Sequence, residues 1–265
     1  MISLILLAYV GWCVLLYTQQ TRIMFPRDLT SAPTPDAGVP RHVERVWIGD
    51  GEETPRVEAW FVPAAINDGE RAPAVMLTHG NAELIDECMG DAARWTARGY
   101  HVLLCEYRGY GRSEGTPSQK GIVEDMHRFY DLLASRPEVD ASRIVVHGRS
   151  LGAAVAAQIA GSRPVMGVVL ESPFKSATSF AAKFGAPPFL VRSPFRTDRV
   201  LRTLKAPVLI LHSVDDEIIP VSHARALKRI HPRAMLVELT GGHNSGLSNQ
   251  PKYWQAVDEW LADPE

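Results

Sequence analysis

Cysteine is scarce. Cys13, Cys88 and Cys105 are the only three in 265 residues. Their number is odd and their spacing is not that of metal ligands, so neither a disulfide framework nor a thiolate metal site is expected. Cys13 lies in an apolar run and Cys105 in a strand-like run, so both read as buried thiols. An excess of one charge is also missing. Twenty-eight Lys and Arg stand against 30 Asp and Glu, a net charge of −2, which gives no whole-chain pull toward nucleic acid. No histidine and carboxylate fall at metal-ligand spacing, and no Gly-rich loop has the length and lysine of a phosphate loop. No cofactor and no metal are expected.

The third absence is of charge at the N-terminus. MISLILLAYVGWCVLLYTQQT carries no charged side chain before Arg22. Twenty-one helical residues span about 30 Å, the thickness of a bilayer's hydrocarbon core. A secretory signal would bring a basic start and a small-x-small cleavage site, and neither is visible. A buried core helix would show a polar face, and the first seventeen residues show almost none. A membrane anchor over residues 1–25 is the favoured reading. Arg22, Arg27 and Arg41 follow the uncharged run, so the positive-inside tendency leans toward a cytoplasmic catalytic domain. Residues 26–40 hold four prolines in fifteen positions and read as a linker, neither strand nor helix.

What is abundant is apolar sequence in short runs: 46% of the chain is hydrophobic, enough for one sizeable core. HVERVWI and RVEAWFVP suit an antiparallel strand pair. PAVMLTHG, RIVVHG, VMGVVLES, APVLILHS and AMLVELTG read as strands and YHVLLCEYRGYG as a strand and its loop; several of these strands are apolar throughout, the mark of parallel strands covered on both faces. Between them lie helical segments: ELIDECMGDAARWTARG stopped by Gly99, GIVEDMHRFYDLLASR, SLGAAVAAQIAG, SHARALKRIH and the closing QPKYWQAVDEWLAD. Met126, Phe129, Tyr130 and Leu133 fall at helical spacing on one face. Strand and helix alternate at crossover lengths, which predicts an open α/β sheet. About thirty residues rich in Phe and Pro, following VVLES, break the alternation and read as a helix plus an insertion lying over the strand ends.

In such sheets functional residues collect beyond the carboxyl ends of the strands. RIVVH runs into Gly148-Arg149-Ser150-Leu151-Gly152. A chain this long meets Gly-x-Ser-x-Gly by accident about one time in ten. The other strand ends change those odds. After VLIL come His212, Ser213, Val214, Asp215 and Asp216; after LVELT come Gly241, Gly242 and His243. A serine, an acid and a histidine end three strands in the chain order of a nucleophile-elbow arrangement. A serine hydroxyl needs an adjacent base, and the base needs an acid to fix its tautomer. Asp215, Asp216 and, at another strand end, Glu171 are candidates for the acid. His79 and His212 close apolar strands and read as hydrogen-bonded structural histidines. Arg108 and Arg112 read as ion-paired loop residues.

HGNA (79–82), YRGYGRSEGTPS (107–118), GRSLG (148–152), LHSVDDEIIP (211–220) and GGHN (241–244) together resemble the α/β-hydrolase superfamily. More narrowly, they resemble its membrane-anchored Bem46-like branch, also described as serine aminopeptidase S33-like or hydrolase-4-like. The resemblance implies an α/β-hydrolase fold with a mostly parallel central sheet and helices on both faces. It implies a hydrolase domain over 41–265, with a short cap insertion at about 172–204. It further implies Ser150 as nucleophile, His243 as base and Asp216 as acid, because Asp216 stands four residues before Pro220 as the family's acid does. The backbone N–H groups of Asn81 and Leu151 would form the oxyanion hole. Two departures stand out: His212-Ser213 where the family has His-Gly, and Glu106 where many members have aspartate. The expected activity is cleavage of an acyl ester or thioester, from a small molecule or a lipid, through an acyl-enzyme. A serine aminopeptidase-like peptidase, or a non-catalytic scaffold binding a hydrophobic ligand, are the alternatives.

Overall fold

A computed structural model describes residues 2–65 and 70–263. Eight strands form one sheet: β1 (Glu44–Ile48), β2 (Val57–Val62), β3 (Ala72–Thr78), β4 (His101–Cys105), β5 (Val139–Arg149), β6 (Gly167–Glu171), β7 (Val208–Ser213) and β8 (Met235–Leu239). Their order is β1-β2-β4-β3-β5-β6-β7-β8. β1 pairs antiparallel with β2, and β2 with β4; every later pairing is parallel.

The continuous apolar runs have a simple cause. Side chains alternate across a strand, so a strand covered on both faces needs apolar residues at every position. Val146, Val168 and Ile210 face one layer, while Val145, Val169 and Leu209 face the other. The first layer is packed by α3 (Gln119–Ser135), α4 (Leu151–Ala160), α5 (Thr197–Thr203) and α6 (Ser222–Ile230). The second is packed by α2 (Met89–Thr96) and α7 (Pro251–Ala262), whose Trp95, Tyr253, Trp254 and Trp260 fill it. Met126, Phe129, Tyr130 and Leu133 are all buried on α3.

Several local expectations need correction. The helix expected over 83–99 starts as a 3-10 turn, Ile85–Cys88, and becomes α-helical only at Met89. Its first residues are held elsewhere: Glu87 accepts from Leu84 N, Glu106 from Ile85 N, and Glu83 from Gly80 N. Residues 26–40 are not free of helix. They form two single 3-10 turns, Arg27–Leu29 and Asp36–Gly38, and lie on the sheet domain through Ser31–Glu87 and Thr34–Asp86 hydrogen bonds. Cys13 is half-exposed, not buried, because its helix stands off the core; Cys88 and Cys105 are buried. The helix expected after β6 is a 3-10 run, Ala177–Phe184, ended by Gly185 in the left-handed region at φ 64°, with a second turn at Pro188–Leu190. Prolines 187, 188 and 194 prevent a longer helix there.

The N-terminal apolar segment is a single helix, α1 (Ile2–Met24). Over most of its length its side chains are exposed, which excludes a buried core helix. Its composition and length are those of a membrane-crossing helix.

Candidate active site

Ser150 stands between β5 and α4 at φ 54°, ψ −114°, a backbone conformation that strains any residue but glycine. The surrounding glycines permit it. A Cβ on Gly148 would lie 2.1 Å from the Gly152 carbonyl oxygen, and one on Gly152 would lie 2.1 Å from that of Thr78. The turn is fixed on both sides: Ser150 N donates to the Glu171 carbonyl at 2.8 Å, and the Thr78 hydroxyl donates to the Gly152 carbonyl at 2.9 Å.

The structure brings three of the candidate side chains into one chain of hydrogen bonds. His243 Nδ1 lies 2.7 Å from Asp216 Oδ2, and His243 Nε2 lies 3.1 Å from Ser150 Oγ. All three residues are buried. Asp216 Oδ1 accepts from the backbone N–H groups of Ile218 (3.0 Å) and Ile219 (2.7 Å), so Oδ2 is the oxygen turned to the ring. With a carboxylate at Nδ1, that nitrogen donates and Nε2 is left to accept from the serine hydroxyl. His212 Nε2 lies 3.5 Å from the same Asp216 oxygen but donates to the Ile219 carbonyl at 2.7 Å. Burial pushes its pKa down, which favours the neutral ring.

The other acid candidates point away. Asp215 accepts from Gly241 N at 3.2 Å and does not bond the ring. The Glu171 carboxylate accepts from the Tyr253 hydroxyl at 2.8 Å, deep between β6 and α7. Arg108 is paired bidentately with Asp125, and Arg112 with Glu58 and Asp86. Arg149 is engaged by Glu83.

Asn81 and Leu151 line the same cavity as Ser150. Leu151 opens α4, so its N–H is one that no helix carbonyl reaches. The turn bearing Asn81 is held rigid. The Tyr110 hydroxyl donates to Asn81 Oδ1 (2.9 Å), the Tyr107 hydroxyl to the His79 carbonyl (2.7 Å), and His79 Nε2 meets Glu106 at 2.7 Å. The Glu106 carboxylate also accepts from Tyr107 N and Ile85 N, so its role here is to clamp this turn.

Two contributors escaped the sequence reading. Glu217 accepts from His243 N at 3.0 Å and so fixes the histidine loop to the acid loop. Its only signal was adjacency to Asp216. The second is α1, whose Leu16, Ile23 and Met24 line the cavity beside Ser150. The cavity holds about 380 Å³, and the only charged side chain among its described lining residues is Lys183. No group of three or more His, Cys, Asp or Glu suited to a metal occurs among the described residues.

A mostly parallel eight-stranded sheet with a serine on a strained strand-to-helix turn defines the α/β-hydrolase fold. Residues 69–193 match the family described as serine aminopeptidase, S33. The α/β hydrolase domain-containing protein WAV2 of Arabidopsis thaliana is 32% identical over 82% of this chain and 78% of its own length. The uncharacterised protein Rv2307c of Mycobacterium tuberculosis is 30% identical over 92% of this chain and 87% of its own. Among solved structures, the Pyrococcus furiosus esterase Pf2001 superposes with a TM-score of 0.67 at 20% identity, covering 88% of this chain and 96% of its own; that likeness is one of fold. The chain belongs to the α/β-hydrolase family.

Proposed function

We propose that the protein is a serine hydrolase that cleaves an acyl ester or thioester through an acyl-enzyme. In this reading Ser150 Oγ attacks the substrate carbonyl while His243 Nε2 takes its proton. Asp216 holds the ring in the tautomer that can do so and stabilises the imidazolium. The N–H groups of Asn81 and Leu151 meet the developing oxyanion, where the α4 N-terminus adds its positive field. His243 then returns the proton to the leaving alcohol or thiol. Water, deprotonated by the same ring, releases the acid. Residues 1–25 would act as a membrane anchor and 172–204 as a cap over a 41–265 hydrolase domain, with Arg22 in the last turn of α1 and Arg27 and Arg41 beyond it favouring the cytoplasmic face.

The observation that carries this reading is the Ser150, His243, Asp216 chain at 3.1 and 2.7 Å, opening onto an apolar cavity. The family description also names aminopeptidases, and that is the second reading. A free amino terminus calls for a carboxylate in the cavity wall, and among the described lining residues there is none.

The test is a fluorophosphonate probe, which should label wild-type protein and leave Ser150→Ala unlabelled. Labelling that survives the substitution removes Ser150 from the mechanism. A panel of esters, thioesters and aminoacyl amides then sorts the classes: turnover of the amides alone selects the peptidase, and turnover of nothing, without labelling, selects a scaffold that binds an apolar ligand.

A further inference from the structure

We infer that α1 is a wall of the substrate cavity as well as an anchor, and that the acyl chain of a membrane-resident ester or thioester enters from the bilayer along it. This rests on the serine-hydrolase reading and adds to it where the substrate resides and what holds its chain.

Cys13, Leu16, Gln20 and Met24 recur at helical spacing and are half-buried, while most of their neighbours on α1 are exposed. One face of the helix is therefore docked. It is bonded at three levels. Trp12 Nε1 donates to the Phe184 carbonyl at 2.8 Å. Gln20 donates to the Leu190 carbonyl at 3.2 Å and accepts from Arg192 N at 2.7 Å. Asn81 Nδ2 donates to the Met24 carbonyl at 2.7 Å, tying the helix end to the turn beside Ser150. A helix that only tethers a domain needs none of these bonds. Leu16, Ile23 and Met24 face the cavity that Ser150 opens into.

The bonds place the cavity. Trp12 to Met24, more than half of the apolar span Ser3–Met24, lies bonded to the domain. An α1 that enters the bilayer along this span therefore brings the cap to the membrane with it. The cap is surfaced for that contact: Phe189 is 84% exposed and Phe184, beside Trp12, is 45% exposed. Exposed aromatics flanking an apolar helix suit an interfacial contact. The cavity between α1 and the cap then opens toward lipid, and its apolar walls suit an acyl chain.

The full chain in phosphatidylcholine vesicles tests this with two substrates: a water-soluble acetyl thioester and a palmitoyl thioester carried in the same vesicles. Wild type should prefer the palmitoyl substrate, in a manner lost with Ser150→Ala. Leu16→Trp should lower the palmitoyl-to-acetyl ratio of kcat/KM by about tenfold or more by filling the wall. Ile23→Ala, which folds more safely, should raise the preferred chain length. Phe189→Asp, at an exposed residue that does not itself line the cavity, should lower the same ratio by about tenfold by lifting the cap from lipid. A wild-type preference for acetyl, or ratios and chain-length preference unmoved by all three substitutions, overturns the inference while Ser150-dependent turnover keeps the serine-hydrolase reading. Absence of any Ser150-dependent turnover and labelling overturns both.

Discussion

Two buried assemblies in this molecule each contain a histidine and a carboxylate. In one, His243 joins Asp216 to Ser150. In the other, His147 joins Trp95 to Tyr253, which bonds Glu171. Trp95 Nε1 donates to His147 Nδ1 at 3.0 Å, leaving Nε2–H to donate to the Tyr253 oxygen at 2.9 Å, and the Tyr253 hydroxyl donates to Glu171 at 2.8 Å. Their histidines differ in tautomer and in address. His243 sits in a loop past the end of β8, whereas His147 lies within β5 on the face covered by α2 and α7. The first assembly ends on a hydroxyl at a cavity. The second ends on Trp95 and Glu171, both sealed in the core, so no substrate atom can reach it. What separates the two assemblies is the strand end and not the presence of a histidine and a carboxylate.

The largest effect that would test this contrast is at Asp216. Ile218 N and Ile219 N would hold the amide oxygen of Asp216→Asn, turning its NH₂ toward His243 Nδ1. The ring would then accept at Nδ1 and present Nε2–H to Ser150, the wrong tautomer for a base. The expected loss in kcat is about ten-thousandfold. Asp215→Asn keeps an oxygen for Gly241 N and should change kcat by less than about tenfold. Kinetics on the ester preferred in the substrate panel decides between them. Equal losses in the two variants would show that the acid is shared or misassigned.

The sheet was legible because several of its strands are apolar on both faces, and the candidate site was legible because Ser150, Asp216 and His243 each follow a strand-like run. What lay beyond reading were contacts between distant segments. Glu106 meets His79 across 27 positions and Glu217 meets His243 across 26, and nothing in either local pattern encodes the partner. Along α1, an apolar residue facing lipid and one facing the cap have the same composition. The polar groups of Trp12 and Gln20 were the only hint that one face is docked. The prolines and glycine of the cap broke helical expectation in the usual way, by removing donors and permitting a left-handed stop.

A smaller effect distinguishes the sealed assembly by pH. Burial raises the Glu171 carboxyl from an ordinary 4.5 to about 7, and burial lowers the His147 ring from 6.5 to about 4. Glu171 has a raised folded pKa, so its stabilisation is fully present below 4.5 and is lost as pH rises through about 7. His147 has a depressed one, so its contribution is present above 6.5 and is lost as pH falls through about 4. Each amounts to about 3 kcal/mol by linkage, and between 4.5 and 6.5 the two slopes oppose one another. Glu171→Gln keeps an acceptor for Tyr253 and removes one slope. Its Tm should gain on that of wild type progressively from pH 4.5 to 7, with kcat on the preferred ester changed by less than about threefold. A Tm difference independent of pH would mean that Glu171 titrates as an exposed acid.

The smallest effect falls at Glu217, on the border between the two kinds of group. It is exposed, it does not touch the ring, and yet it holds the backbone of His243. A hydrogen bond from His243 N to the carboxylate lowers the Glu217 pKa, so the clamp is strongest above the ordinary carboxylate range and weakens in acid. Glu217→Gln retains a weaker acceptor at the same distance, and Glu217→Ala removes it. If the clamp positions the base, kcat should fall by about threefold for glutamine and about tenfold for alanine, with KM nearly unchanged, because the loop must be ordered in the transition state more than in substrate binding. The glutamine rescue separates positioning from mere folding. Equal Tm values with graded kcat place Glu217 in the reactive assembly. Graded Tm values with unchanged kcat place it with Glu171, among the groups that hold the fold.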